Sequence, residues 1–343
     1  MNCARNQLSR ATYGLHARIY MRKLLVLIFT RQCLPREPLG NLMKSYLIGI
    51  DGGGTRSRIL VQEEGSTSEP RREVSGPANI NTSVEESWNS IISGIESILG
   101  SGYFSDAATD NQHTLVAGLA GTEIKQAARS FLDAEQAGFF DSIELLSDGH
   151  IACLGAHDGN DGIMVSVGTG TIGFKICDGH DPVRVSGWGF PHSDEGSGAW
   201  LGIEATRLLF KSLDKRVPGS PLLTYLFEQF DSDLDRLVTE SNTREQGWFG
   251  QMGRHVIEFY EQHGSGDEHL ANLIQLASNE IVQVIDTLDR SSSTPLPVCL
   301  SGGLSRVFTS FMPERISNRL VQSQRSPEQG ALLLAARKRS VTV

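Results

Sequence analysis

The chain has 343 residues, of which 39% are hydrophobic and 21% charged, and its 31 basic and 40 acidic residues give a net charge of −9. This length suits about two ordinary domains, and the composition excludes a collagen, a coiled coil and a disordered chain. A net negative charge repels phosphate backbones, so we expect no nucleic acid among the main partners.

The first 44 residues differ in charge from the rest, with eight basic side chains and one acid. Their apolar run, residues 24–29, is too short to cross a membrane, and Arg31 interrupts it before any cleavage site of a secretory signal. We therefore interpret residues 1–44 as a basic, disordered extension; the alternative is an upstream start codon, with Met43 as the natural start. A cytoplasmic protein without a membrane partner is expected.

Five cysteines lie far apart, and none has the C-x-x-C or Cys/His spacing of a metal site. Buried, reduced thiols are the default for such cysteines in a cytoplasmic protein. We expect neither a disulfide framework nor a structural zinc site.

Strand and helix patterns alternate from residue 46 onwards. The patterns predict strands at 46–50, 56–62, 113–121 and 142–148, and helices at 84–99, 124–137 and 150–157. Apolar runs that alternate with amphipathic stretches are typical of an α/β layer structure with parallel strands.

The pattern starts again near Gly159, which suggests two halves built on one plan. The second half is predicted to contain a hairpin at 162–176, helices at 199–213, 245–262 and 270–288, and a strand at 297–303. A closing helix follows at 327–338. We predict one domain over 45–156, to which residues 327–343 can add a helix, and another over 157–326 with a helical insertion.

Three apolar strands run directly into glycine-rich junctions. The junction residues are Gly52, Gly53, Gly54 and Thr55; Gly168, Thr169, Gly170 and Thr171; and Ser301, Gly302 and Gly303. Glycines let backbone N–H groups approach an anion closely, so two facing junctions can hold phosphates from both sides. A simple hairpin turn is the alternative for the first junction, which does not continue into the Gly-Lys-Ser/Thr of a Walker loop.

From residue 46 to its end the chain resembles the N-acetylglucosamine kinase and bacterial glucosamine kinase group of the actin-like sugar kinase and Hsp70 ATPase superfamily. The resemblance rests, in order, on IGIDGGGTRSRILV, SGPANI, LLSDGHIACLGAH, SVGTGT, GWGFPHSDEGSGAWLG, LSGGLSR and PEQGALLLA. It implies an α/β fold of two actin-like, ribonuclease H-like lobes, each a mixed sheet with helices on its faces. ATP and a sugar would meet in the cleft between the lobes.

The resemblance also implies roles for individual residues. Asp148 matches the catalytic base, and Asp51 matches the carboxylate that approaches Mg²⁺, usually through water. ATP would be bound by Gly52, Gly53, Gly54, Thr55, Gly168, Thr169, Gly170, Ser301, Gly302 and Gly303. The alternative for Asp148 is a helix N-cap without a catalytic role.

The same resemblance implies that Asn79, Asp148, Thr169 and Asp194 bind the sugar. A turn role for Asn79 is the alternative, with Asn81 as the competing residue.

Four further residues near these motifs have open roles. We favour Glu123 as a first-turn helix acid over a residue facing the cleft, and Glu195 as structural. Trp188 is interpreted as a core residue that supports the loop of Asp194. His192 is a candidate contact for the amino-sugar substituent.

The leading hypothesis is an ATP- and Mg²⁺-dependent kinase that phosphorylates the 6-hydroxyl of glucosamine. N-acetylglucosamine is the alternative substrate, and a homodimer is a candidate assembly by analogy with the group. Two other classes are an ATPase that activates 2-hydroxyacyl-CoA dehydratases or benzoyl-CoA reductases and a sugar-responsive transcription regulator. The first needs an iron–sulfur cluster loop and the second needs two helices joined by a turn, and neither pattern is recognised in the sequence.

Overall fold

Five strands of the first half form one sheet in the computed structural model, which describes residues 43–105, 111–177, 180–243, 245–290, 292 and 294–342. The strands are β1 (Ser45–Gly52), β2 (Ser57–Glu63), β3 (Arg71–Ser75), β4 (Gln112–Leu119) and β5 (Ser142–Leu146). Their order is β3-β2-β1-β4-β5, with β1, β2 and β3 antiparallel and with β4 and β5 parallel to β1. The carboxyl ends of β1, β4 and β5 therefore meet at one edge.

Helices of the first half connect these strands. They are α1 (Val84–Leu99), α2 (Lys125–Leu132) and α3 (Asp148–Ala156), with a 3₁₀ turn at Glu135–Phe139. The Ser83 hydroxyl caps α1 by accepting from the Glu86 N–H, and the apolar stripe of the helix buries Trp88, Ile91 and Ile95 against the sheet.

The second sheet repeats the arrangement of the first. Its strands are β6 (Gly162–Val167), β7 (Thr171–Ile176), β8 (Val183–Ser186) and β9 (Val298–Ser301), in the order β8-β7-β6-β9. The first three strands are antiparallel neighbours and the last is parallel to β6, as in β3-β2-β1-β4. The predicted duplication of one plan is therefore confirmed at the level of the sheets.

Helices fill most of the chain between β8 and β9. The second-half helices are α4 (Gly198–Leu213), α5 (Pro221–Glu228), α6 (Leu234–Thr243), α7 (Gln246–His263), α8 (Glu268–Asp289), α9 (Ser305–Thr309), α10 (Glu314–Ser317) and α11 (Pro327–Thr342). Helices α4 and α7 pack in close contact, since a Cβ at Gly253 would overlap the carbonyl oxygen of Gly198.

The last helix packs on the first sheet. Ala331, Leu332 and Ala335 of α11 share a buried cluster with Leu47 of β1 and Val116 of β4. Gly49 lies against the backbone of α11, where no larger residue would fit. We call the β1–β5 sheet with α1–α3 and α11 the first lobe, and the β6–β9 sheet with α4–α10 the second lobe.

The structure differs from the predicted elements in one helix bound, in two strands and in helices α5, α6, α9 and α10, which were not predicted individually. The helix predicted over 124–137 ends at Leu132, because Asp133 terminates it and a 3₁₀ turn follows. Strands β3 and β8 were not predicted, since RREVS and VRVS are short, polar segments at the sheet edges. Residues 1–42 of the predicted basic extension lie outside the described residues. No helix in the described chain is long and apolar enough to cross a membrane.

Candidate active site

Asp51 lies at the carboxyl end of β1, where its side chain is only 15% exposed. Arg58, its cross-strand partner in β2, donates from Nη1 to Asp51 Oδ2 at 2.7 Å. Burial nevertheless raises the pKa of Asp51 above its usual value, and the charges of Glu328 and Asp148 act in the same direction. The lobe therefore holds a carboxylate that would be stabilised by a further positive charge.

Asp148 is the first residue of α3, directly after β5. Ser147 is the N-cap, accepting from the His150 N–H, so the alternative N-cap role for Asp148 is wrong. Asp148 Oδ1 accepts from the Gly149 N–H at 2.7 Å. Partial desolvation in the cleft and the nearby Glu123 raise the pKa of Asp148, against the opposing effect of Arg184. A carboxylate with a raised proton affinity suits a general base.

A cavity of about 360 Å³ brings residues of both lobes together. Asp51 and Asp148 line it from the first lobe, Ser166 and Ser301 from the ends of β6 and β9, and Arg325 from the segment before α11. Ser166 and Arg325 were not among the predicted site residues. Ser166 pairs with Ser301 in the sheet, and this register is not visible in sequence.

The second and third glycine junctions are neighbours because β6 and β9 are parallel. Gly302 has a φ of +89°, and a Cβ there would overlap the carbonyl of Val167 at the end of β6. The Leu304 N–H donates to the same carbonyl at 3.1 Å. Glycine at position 302 is thus required by both the backbone conformation and the close approach of two strand ends.

The second junction, residues 168–171, is held by the start of α4. The N–H groups of Gly198 and Ala199 donate to the carbonyls of Gly168 and Thr169 at 2.8 and 3.2 Å. The junction is therefore a fixed loop between β6 and β7, and the Thr169 side chain at its apex is exposed.

The first junction, residues 52–55, has a buried base and an open tip. Gly52 is buried, and a Cβ there would contact Leu119 and Ala78 at 2.5 and 2.8 Å. The N–H of Gly53 donates to the Arg56 carbonyl. At Gly54, no atom lies within 4 Å of the position that an added Cβ would occupy. The exposed tip can therefore meet a ligand.

Asp194 is 5% exposed and has a φ of +71°, in the left-handed region. Its Oδ2 accepts from Gln246 Nε2 at 3.1 Å, and a Cβ at Gly170 would lie 2.8 Å from the same oxygen. Burial raises the pKa of Asp194, while hydrogen bonds from the Thr171 backbone and from Gln246 oppose the rise. Asp194 thus joins the loop of residues 187–197, which we call the signature loop, to the second junction and to α7.

Asn79 lies in the turn before α1. Its Oδ1 accepts from the Asn81 N–H at 3.0 Å, as in an Asx turn, and its backbone bridges to Ala120 after β4. Asn79 is absent from the lining of the cavity that contains Asp51 and Asp148. The turn role is thus present in the structure, and sugar binding by Asn79 stays a prediction.

Two predictions about the surrounding residues are wrong. Trp188 is 78% exposed and lies outside the core, with the guanidinium of Arg184 4.6 Å from its ring centroid. Glu123 precedes α2, whose first turn contains no acid, and its Oε1 lies 3.8 Å from Arg184 Nη1 of the second lobe. Arg184 is a site-region residue that sequence reasoning missed.

His192 is exposed in the signature loop. Glu195 lies near Glu280 of α8, since its charge helps to raise the pKa of Glu280.

Cys153 and Cys299 are buried, and burial raises the pKa of the Cys153 thiol to about 12. A buried thiol with a raised pKa is a weak nucleophile at neutral pH.

Residues 48–335 match the BadF/BadG/BcrA/BcrD ATPase family. The chain belongs to this family.

Similar proteins and solved structures carry sugar-kinase names. "Glucosamine kinase GspK" of Vibrio cholerae is 31% identical over 295 residues, which is 85% of this chain and 96% of the relative. "N-acetyl-D-glucosamine kinase" of Dictyostelium discoideum is 26% identical and covers 86% of this chain and 98% of its own. A Chromobacterium violaceum crystal structure with a provisional N-acetylglucosamine kinase assignment is 30% identical, with a TM-score of 0.67 over 85% of this chain and 99% of its own.

The geometry agrees with the fold implied by membership of the ATPase family. Two lobes of one plan contribute the strand-end residues Ser166 and Ser301 and two carboxylates to the same cavity. The fold class predicted from the resemblance, two actin-like lobes with mixed sheets, is confirmed.

Proposed function

We propose that the protein is an ATP-dependent amino-sugar kinase that transfers the γ-phosphoryl group of ATP to the 6-hydroxyl of glucosamine. One observation supports this most directly: Asp51 and Asp148 line one cavity with Ser166 and Ser301 from the other lobe. Phosphoryl transfer requires positioning, charge neutralisation and a base near the attacking hydroxyl, and this cavity offers groups for each task.

The three glycine junctions are the proposed nucleotide site. Backbone N–H groups of the first and second junctions would hold the phosphates, and the open backbone at Gly302 and Gly303 would lie against the nucleoside. Closure of the lobes would exclude water from the transfer and so limit wasteful hydrolysis of ATP.

Mg²⁺ is the proposed cofactor, with Asp51 as the residue that approaches it. In the part of the chain that the structure describes, no group of three or more His, Cys, Asp or Glu side chains could hold a metal ion. The residues fit a hard cation that retains several waters and is bound mainly by nucleotide phosphates. Such an ion would neutralise phosphate charge, and Asp51 would orient its waters from the end of β1.

Asp148 is the proposed general base for the sugar 6-hydroxyl, with Asn79, Thr169 and Asp194 as proposed sugar contacts. Glucosamine is favoured over N-acetylglucosamine by the carboxylates near Asp148, since an ammonium group gains from neighbouring negative charge. Glu123 and Asp51 are both close enough to influence the charge of this region. N-acetylglucosamine is the second candidate, supported by the names of two relatives. The cytoplasm is the compartment proposed for an enzyme that consumes ATP.

The test is ADP release by the purified protein with ATP and Mg²⁺, with no sugar or with glucosamine, N-acetylglucosamine, N-acetylmannosamine or glucose. We expect glucosamine to stimulate release, with one ADP formed per sugar 6-phosphate. Stimulation by N-acetylglucosamine and not by glucosamine would identify N-acetylglucosamine as the substrate and would leave the proposed reaction unchanged. A basal rate that no sugar changes would contradict the proposal and favour an ATPase activator, to be examined next for bound iron and a partner protein.

A further inference from the structure

Arg184 of β8 organises the turn that begins the signature loop. Its Nε donates to the Ser186 carbonyl at 3.2 Å, its Nη2 donates to the Gly187 carbonyl, and its guanidinium lies against the ring of Trp188. Ser186 and Gly187 have φ values of +65° and +73°. A non-glycine residue in this region is strained, so the turn depends on outside contacts to keep its shape.

The same guanidinium reaches across to the first lobe. Arg184 Nη1 lies 3.8 Å from Glu123 Oε1, and the two side chains are 22% and 46% exposed. Both charges act on Asp148, Arg184 favouring its ionised form and Glu123 its protonated form. Arg184 thus contacts its own turn, the indole of Trp188 and an acid of the opposite lobe beside the proposed base.

We propose that Arg184 is a positioning residue for the phosphoryl acceptor: through Glu123 it fixes the turn of Ser186, Gly187 and Trp188 against the first lobe, opposite Asp148. The inference rests on the proposed function, because it assigns this side of the cleft to the acceptor sugar. Glu123 holds the turn only through Arg184; its charge also acts separately on Asp148, an effect that belongs to the pH profile. Neither residue performs chemistry. The ion pair would hold the residues beside the acceptor sugar in place when the two lobes are aligned. The proposed nucleotide junctions would not depend on this pair.

The first experiment uses Glu123→Gln, which removes the charge pair and leaves the contacts of Arg184 with its own turn. We expect kcat/KM for the sugar to fall about 2- to 5-fold at low salt, the size of an exposed ion pair, with KM for ATP unchanged. The loss should disappear near 1 M salt, because screening removes the pair from the wild type as well. A merely steric role for Glu123 would show no such salt dependence.

Glu135→Gln is the matched control. Glu135 is an exposed acid in the same β4–β5 connection and forms no salt bridge among the described residues, so the variant has the same change in net charge. We expect its sugar kinetics to equal those of the wild type at every salt concentration.

A double-mutant cycle with Arg184→Gln completes the test. If Glu123 acts through Arg184, adding Glu123→Gln to Arg184→Gln should cause no further loss. Arg184→Met, which also lacks the charge, replaces Arg184→Gln in the cycle if the glutamine variant does not fold. Unchanged sugar kinetics in Glu123→Gln, or losses that multiply in the double variant, would overturn the inference alone. A wild-type protein without sugar-stimulated turnover would overturn the proposed function and this inference with it.

Discussion

Arg58 and Asp51 are cross-strand partners whose side chains meet at 2.7 Å, yet burial holds the pKa of Asp51 above its usual value. The nearby Glu328 contributes to this rise, and it is itself 1% exposed and paired through Oε1 with Arg72 at 2.8 Å. The guanidinium of Arg58 therefore does not fully offset the burial of Asp51, although Glu328 has its own arginine partner. The proposed Mg²⁺ would approach a region that is short of positive charge.

Arg58→Gln should weaken activation by Mg²⁺. Loss of the guanidinium raises the pKa of Asp51 further, so a larger share of Asp51 is protonated and cannot orient the waters of the ion. We expect a higher half-saturating Mg²⁺ concentration, with the difference growing as the pH is lowered. The measurement is turnover against Mg²⁺ at several pH values. Arg56→Gln, at an exposed neighbouring arginine, is the control and should behave as the wild type.

Asp148→Asn should lose turnover while it keeps both ligands. A positioned general base contributes typically 10²–10⁴-fold, so we expect a fall in kcat of about that size. Binding of ATP and of the sugar, measured by calorimetry, should remain close to that of the wild type. Near-normal turnover would remove Asp148 from the role of base.

The pH dependence of kcat/KM should report the environment of Asp148. Because desolvation raises its pKa, the active ionised form is lost as the pH falls through a value above the ordinary range for aspartate. Glu123→Gln removes a charge that raises this pKa, and it should therefore move the acidic limb to lower pH. A limb that stays in place or moves upward would show that Asp148 is not the titrating group.

Asp194 and Gln246 allow binding to be separated from stability. Asp194→Ala should weaken sugar binding strongly and lower the melting temperature, because it removes the acceptor for Gln246 and Thr171. Gln246→Ala removes one hydrogen bond and should cost about 1 kcal/mol of unfolding free energy with a small effect on the sugar. If the two variants bind sugar equally well, Asp194 is a structural residue only.

Gly253→Ala should destabilise the contact of α4 with α7. The added Cβ overlaps the Gly198 carbonyl, and overpacking of this kind costs typically 1–3 kcal/mol. Gly198 also donates to the second junction, so KM for ATP should rise as well. Gly247→Ala in the same helix has nothing within 4 Å of the new Cβ and should leave both quantities unchanged. Thermal unfolding and ATP kinetics check the pair.

Sequence patterns predicted the parts of the fold that bury apolar side chains. Strand β1 and helix α1 have uninterrupted apolar runs or stripes, and the structure contains both within one or two residues of the predicted bounds. Strands β3 and β8 have no such signal, since edge strands need few buried side chains. Their existence depends on pairing with β2 and β7, which is a tertiary property.

The site was predictable where motifs mark strand ends and not where partners come from elsewhere in the chain. Asp51 and Asp148 follow buried strands, and the structure places both in one cavity. No spacing in the sequence indicates Arg58, Arg184 or Gln246 as site residues. Arg58 meets Asp51 through strand register, and the other two contact segments that are distant in sequence. Trp188 was predicted to be buried, because an indole is usually a core side chain. The structure instead shows it exposed, since the turn at Ser186 directs the side chain outward.

The packing of α11 on β1 bears on how the protein is made. The strand emerges from the ribosome among the first described residues, and the helix that covers Leu47 and Val116 is synthesised after every other described helix and strand. Until then, of the described helical residues, only Ile151 of α3 packs on this cluster, so much of one face of the first sheet is uncovered, although domains generally begin to fold during translation. A nascent chain stalled before residue 327 should therefore bind chaperones and be sensitive to protease throughout β1–β5, with protection gained in one step when the final helix is released.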